Sequence, residues 1–306
     1  MQKAYIASIY KLIGQDKNVI SCLSDSGTDF DEMIAREYPN QVINFGIAEN
    51  NKVAAASGLA MGGKIPFVYT TNAFLAYRSY EFIRDDVCLQ NRNVKLVGMG
   101  SGLTWSTLGS THHTTEDISA LKAIPNLIIL SPASPKEVEK AVFKAYETNG
   151  PVYIKIGMSN ELEIYEDEYD FEIGKNITIS DGSDTTVFVT GCIVSELLEA
   201  RELLLEEGIS VKIVNVHTLK PFDDNNIIDE CKDRSIIFSL EEHNVIGGLG
   251  SSISDVIATN NLNVRLVKMG LNDVFAIGYG SYNDIKEMNG LKAIDICKII
   301  KENLNK

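Results

Sequence analysis

The sequence predicts an α/β protein made of two doubly wound domains in tandem. Short β-branched runs alternate with amphipathic, helix-length stretches through the first half of the chain. An acidic stretch of weak periodicity, Glu161 to Asp184, then interrupts the pattern. The alternation restarts beyond it and continues to the end.

Strands are predicted at 19–23, 42–45, 66–69, 94–97, 127–130 and 152–156. Several are nearly continuous in apolar residues, as in Val152-Tyr153-Ile154-Lys155-Ile156. That is the mark of parallel strands covered on both faces. Helices are predicted between them, at 49–59 and 135–146 among others. The stretch 161–184 reads as an inter-domain crossing. Beyond it, strands are predicted at 186–191, 211–216, 235–240 and 263–267, with helices at 194–207, 253–258 and 291–304.

The chain has 306 residues, enough for two cores of ordinary size. Hydrophobic residues make up 44% and charged residues 23%, as in a soluble globular protein. No apolar run approaches the roughly 18 residues of a membrane span, so no membrane partner is expected. The start, Met1-Gln2-Lys3-Ala4-Tyr5, has no basic run leading into an apolar core, and no secretory signal is expected. The net charge of −14, with no cluster of Lys and Arg, argues against a nucleic-acid partner. Five cysteines are scattered without paired spacing. They predict neither a disulfide framework nor a zinc site, but small buried hydrophobes in a reducing cytoplasm.

Three segments carry candidate chemistry. Asn44-Phe45-Gly46-Ile47-Ala48-Glu49-Asn50 lies where a predicted strand passes into a helix. Ligands bind along that edge in open α/β sheets, yet a carboxylate in a first helical turn also simply favours the macrodipole. In the second segment Phe74, Tyr77 and Tyr80 recur at a spacing of three. Such an aromatic stripe serves a core, or it encloses a flat heterocycle. The third is Gly109-Ser110-Thr111-His112-His113, followed by Thr114 and Thr115, either of which suits a helix cap. Histidines there suit proton transfer near neutral pH, or a polar loop facing water. No third ligand is spaced to make them a metal site.

In order and spacing these segments resemble the pyrimidine-binding domain of transketolases. The likeness rests on Phe45-Gly46-Ile47-x-Glu49, on Phe74-x-x-Tyr77-x-x-Tyr80 and on Gly109-x-Thr111-His112. Ile124-Pro125-Asn126-Leu127 and Ser131-Pro132-Ala133-Ser134 extend it. Glu241-Glu242-His243-Asn244 and the glycines through Gly250 resemble the C-terminal domain of transketolases encoded as two subunits. The resemblance implies a pyrimidine-binding thiamine-diphosphate fold over 1–160, a linker over 161–184 and a transketolase C-terminal domain over 185–306. It implies thiamine diphosphate as cofactor, with Glu49 on the pyrimidine ring nitrogen. Phe74, Tyr77 and Tyr80 would enclose that ring, Ile47 would prop the bent cofactor, and Asp25 would lie near it. His112 would face the reacting centre, with His113 beside it at the rim.

The Gly-Asp-Gly start of a diphosphate site is missing; the nearest string, Ser180-Asp181-Gly182, lies in the predicted linker. The resemblance therefore implies an N-terminal partner subunit holding the diphosphate and Mg²⁺, and an α₂β₂ assembly. The positions that read sugar phosphates in the family depart here: Gly100, Leu108 and Met158 replace a histidine, an aspartate and an arginine. A nucleotide-linked or modified sugar substrate is expected. Alternatives are a 2-oxo-acid dehydrogenase beta chain, a deoxyxylulose-type synthase, or a non-catalytic scaffold. The glycines after His243 suit either a tight turn or an anion cradle at a helix start.

Overall fold

The computed structural model describes residues 1–24, 29–158, 163–165 and 169–304, without the side chains of 29–31. The first six strands are β1 (Val19–Leu23), β2 (Val42–Asn44), β3 (Ile65–Thr71), β4 (Lys95–Met99), β5 (Ile128–Leu130) and β6 (Val152–Ile156). Then come β7 (Ile177–Ser180), β8 (Thr185–Thr190), β9 (Val211–Asn215), β10 (Thr218–Lys220), β11 (Ile236–Asn244) and β12 (Arg265–Leu271). Helices of the first half are α1 (Gln2–Gln15), α2 (Asp29–Glu37), α3 (Glu49–Met61), α4 (Tyr80–Phe82), α5 (Asp117–Lys122) and α6 (Pro135–Glu147). Those of the second are α7 (Val194–Glu206), α8 (Asp224–Cys231), α9 (Leu249–Thr259), α10 (Tyr282–Met288) and α11 (Ala293–Leu304).

The strands form two sheets, β10-β5-β6-β4-β3-β1-β2 and β12-β11-β8-β9-β7. Each is parallel apart from one antiparallel edge strand, β10 in the first and β7 in the second. This is the predicted α/β class with two doubly wound sheets. One apolar cluster runs from Ile20, Val68 and Leu96 under the first sheet to Phe188 and Ile237 of the second. Every residue of β4 and β6 is buried, including Lys95 and Lys155. Lys95 Nζ finds three oxygens, Asn93 Oδ1 and the carbonyls of Thr148 and Gly150, within 2.8 Å. Burial brings its pKa down to about 7.

The structure differs from prediction at several elements. Ile177–Ser180, inside the stretch predicted as a crossing, is strand β7, paired with β9. Residues of the second half also enter the first sheet, where Thr218 of β10 faces Leu130 of β5. Helix α1 is absent from the prediction, although Tyr5, Ile6, Ile9, Leu12 and Ile13 have helical spacing and are buried. Helix α9 begins four residues before the predicted 253, because Glu241 accepts hydrogen bonds from the Leu249 and Gly250 amides. That carboxylate fills the anion position of the glycine-rich turn. Helix α10 is likewise absent from the prediction; it opens after Ser281 with a reciprocal Ser281–Asp284 capping box.

A buried latch joins the two halves. Ser134 caps α6, and Glu137 in its first turn accepts from the Ala133 amide. The same carboxylate accepts from the Tyr165 hydroxyl at 3.0 Å and from Asn215 Nδ2 at 2.9 Å. Helix α6, the segment 163–165 and the end of β9 thus meet on one carboxyl group. Burial pushes its pKa up to about 7, against the hydrogen bonds it accepts.

Candidate active site

The carboxyl ends of β1, β3, β4 and β6 line one edge of the first sheet, the edge where doubly wound folds bind ligands. Glu49 opens α3 there and is only 2% exposed. It does not cap its helix. Its Oε2 instead accepts a hydrogen bond from Arg78 Nη1 at 2.6 Å. Arg78 also lies over the Phe74 ring, with its guanidinium carbon 4.5 Å from the centroid.

Phe74 and Arg78 sit together because the chain leaves β3 in a π-helical turn, Phe74–Arg78. Single π-turns recur at functional sites. Tyr77 donates to Glu116 Oε2 at 2.7 Å and accepts from the Glu116 amide. Tyr80 turns inward, donating to the Ala120 carbonyl and packing on the core. Ile47 is 76% exposed on the loop before α3. Asp25 lies outside the described residues.

One turn along α3 from Glu49, Lys52 is fully buried. Its Nζ donates to Ser24 Oγ at 2.5 Å and to the Tyr69 carbonyl at 2.9 Å. Burial draws its pKa down to about 8, and the Glu49 charge opposes that shift.

The histidine loop reaches the same place. The His112 ring stands edge-on to Phe74, with centroids 5.1 Å apart, and edge-on to Trp105 at 6.2 Å. Its Nδ1 pairs with Thr111 Oγ1. His113 is buried, and neither ring nitrogen has a hydrogen-bond partner among the described residues. Burial lowers its pKa, as does His112, while Glu116 opposes them. Leu108 is exposed beside the loop, and Met158 packs partly buried against the core of the first sheet. Neither Thr114 nor Thr115 caps α5: Thr114 Oγ1 donates to the Gly100 carbonyl and Thr115 Oγ1 to Glu116.

The loop rests on a buried polar cluster. Lys155 Nζ donates to Asp117 Oδ1 at 2.7 Å and to the Thr114 carbonyl at 3.0 Å. The Tyr153 hydroxyl donates to Asp117 Oδ2 at 2.6 Å, and Asn72 Nδ2 reaches the same oxygen. Burial pushes the Asp117 pKa up, but Lys155, then His243 and the hydrogen bonds outweigh it and hold it below the usual value. The second half grips the loop from the other side. Ser110 donates to the Ala276 carbonyl, and Tyr279 packs on Gly109, whose φ of +72° suits glycine.

The structure thus brings together Glu49, Phe74 and His112 among the predicted residues, with Tyr77 one pair away at Glu116. It adds Arg78, Lys52 and Trp105, which the sequence reading missed. Trp105 had one signal, as the single tryptophan of the chain. Gly100 is tied to it: a Cβ there would come within 2.1 Å of the indole. Among the described residues, no group of three or more His, Cys, Asp or Glu is placed to hold a metal ion.

The model of the transketolase pyrimidine-binding domain matches residues 1–160, and that of the transketolase C-terminal domain matches 174–296. The chain belongs to the transketolase family. It is 37% identical over 309 residues to a putative transketolase C-terminal section from Methanocaldococcus jannaschii, covering 100% of this chain and 96% of that protein. It is 36% identical over 265 residues to a protein of Actinobacillus succinogenes named as one subunit of an apulose-4-phosphate transketolase, covering 87% of this chain and 84% of the relative. A solved structure described as a split gene transketolase, inactive beta4 tetramer, superposes with a TM-score of 0.91 at 31% identity. That likeness covers 99% of this chain and 98% of the other. The family, the two-domain fold and the likeness to the C-terminal half of a split transketolase are therefore as the sequence predicts.

Proposed function

We propose that this chain is the catalytic C-terminal subunit of a split transketolase. It would move a two-carbon ketol unit to an aldehyde acceptor once an N-terminal partner subunit supplies the diphosphate and Mg²⁺ site. The observation that carries this is the seat formed by Glu49 and Phe74: a nearly inaccessible carboxyl group paired with a flat nitrogen cation that lies on an aromatic face. The aminopyrimidine of thiamine diphosphate is also flat and rich in nitrogen, so this donor set fits that half of the cofactor.

Thiamine diphosphate, when bound, supplies a nucleophilic carbon that no side chain provides. Glu49 would hold a proton against the pyrimidine nitrogen, a task suited to a carboxyl group shielded from water. Phe74, with Tyr77, would enclose the ring, and Tyr80, turned onto the core, would support them from behind. Ile47 would prop the cofactor and Asp25 would lie beside it. His112 would exchange protons at the reacting oxygen, with His113 behind it. Mg²⁺ prefers oxygen ligands and water and belongs in this proposal to the partner. An α₂β₂ assembly in the cytoplasm completes it.

By the resemblance, Gly100, Leu108 and Met158 stand where the family reads sugar phosphates, and with Trp105 beside Gly100 they would make the substrate side less polar. They favour an unusual sugar over a common pentose or hexose phosphate. The relative named for apulose 4-phosphate is in keeping with that direction.

The test is calorimetric. Thiamine diphosphate with Mg²⁺ is titrated into this chain alone, then into its mixture with the chain encoded beside it. Binding only in the mixture, lost or sharply weakened by Glu49→Ala, is expected. Tight binding to the chain alone would refute the need for a partner. A stable complex without cofactor binding would favour a scaffold. Pyruvate decarboxylation would favour the dehydrogenase or synthase alternatives, and brisk turnover of xylulose 5-phosphate with ribose 5-phosphate would overturn the substrate assignment.

A further inference from the structure

A flat cation already sits where the proposed function places the pyrimidine. Arg78 meets Glu49 Oε2 at 2.6 Å and covers Phe74 at 4.5 Å. Guanidinium is planar and permanently charged, and it carries only donors, so it satisfies the same carboxylate and the same aromatic face that a protonated or imino pyrimidine would use. The two cannot occupy the seat together.

We propose that Arg78 is a positioning residue that fills the pyrimidine seat in the free chain, keeps the Glu49 carboxyl aimed, and swings out when the cofactor enters. This rests on the cofactor assignment above. Burial explains why such a stand-in is needed. The Glu49 side chain is 3% exposed, whereas that of Arg78 is 46% exposed. A buried carboxylate left alone is costly. Lys52, the other cation nearby, points two of its N–H donors away at Ser24 Oγ and the Tyr69 carbonyl. The exposure of Arg78 also gives it a way out, because a long side chain at the surface can turn into solvent without disturbing the core.

A seat filled by its own arginine lowers the apparent affinity for cofactor in proportion to the fraction left open. Removing the arginine should therefore tighten cofactor binding. The expected gain is about tenfold, the size of one charge-assisted hydrogen bond. Lysine keeps the charge but loses the plane and the fork, so Arg78→Lys should fall between wild type and Arg78→Met.

The experiment titrates thiamine diphosphate with Mg²⁺ calorimetrically into the two-chain complex carrying wild type, Arg78→Met or Arg78→Lys. Tighter binding in the order Met, Lys, wild type is expected. A crystal structure of the cofactor-bound complex should show Arg78 more than about 4 Å from Glu49, beyond ion-pair distance. Unchanged or weaker binding by Arg78→Met overturns the proposal, as does an arginine still on Glu49 in the bound complex. Should Arg78→Met fail to fold, Arg78→Lys decides by the same criterion. No binding heat in any complex, wild type included, overturns the cofactor assignment itself instead.

Discussion

Replacing Lys155 with methionine should be among the most damaging single changes outside the apolar core. Lys155 and Asp117 form an ion pair with side chains 3% and 0% exposed. Methionine conserves the stem but deletes the charge and two hydrogen bonds, one to Asp117 and one to the Thr114 carbonyl. Asp117 keeps Tyr153 and Asn72 as partners, but neither carries a positive charge. Breaking a buried pair from one side costs about 3–5 kcal/mol, because the remaining charge is stranded.

Urea unfolding of wild type and Lys155→Met at constant ionic strength measures the difference. Acid provides a second reading. With Lys155 present, the Asp117 pKa lies below its unfolded value. Its stabilisation is then present above the unfolded pKa and is lost as pH falls through the folded one. Without Lys155 the leading remaining influence is burial, which raises the pKa. The stranded carboxylate can then take up a proton in mild acid. The gap between the two proteins should narrow as the pH falls from neutral into mild acid. A loss under about 1 kcal/mol, or a gap constant over that range, would refute the idea that charge pairing holds the cluster.

Glu137 should make the protein less stable in mild alkali. Its folded pKa, about 7, is raised above the unfolded value, so its contribution is full below about 4.5 and is lost as pH rises through 7. Glu137→Gln should flatten that decline, which amounts to roughly 3 kcal/mol at most, and thermal melts across pH would show it. Gly100→Ala should cost about 2–4 kcal/mol, since the backbone is left-handed at φ +94° and the new methyl would meet the Trp105 ring. Because Trp105 is the single tryptophan, a shift in emission should accompany the loss; unchanged emission would mean that the indole does not rest on Gly100.

Much of the fold is legible in the sequence because parallel strands buried on both faces read as continuous apolar runs. The predicted strands at 19–23 and 152–156 match β1 and β6 residue for residue. What escaped depends on contacts between distant residues. The start of α9 is set by Glu241, eight residues before Leu249, and no pattern local to the glycines reveals it. Strand β10 has only three residues and exists through its pairing with β5. At the candidate site, Glu49 and the aromatics were legible as a motif. The pairing of Arg78 with Glu49 was not, since the two lie 29 positions apart and meet only when β3 brings its π-turn beside α3. Thr114 and Thr115 looked like caps, but the carbonyl of Gly100 and the carboxylate of Glu116 took their hydroxyls.

The short strand β10 limits how this protein can be recombined. A chimera cut within the segment joining the sheets, meant to graft a new C-terminal half, would leave the backbone edge of β5 bare or pair it with a foreign strand. Bare edges invite association with other chains. The Ser131 amide would also lose its bond to the His217 carbonyl, just before the start of α6. A transplant that keeps native residues 217–220 on the first sheet should remain soluble where a cut at the linker alone does not. In engineering terms the two halves are interlocked parts, and the seam between them runs through the second half instead of along the linker.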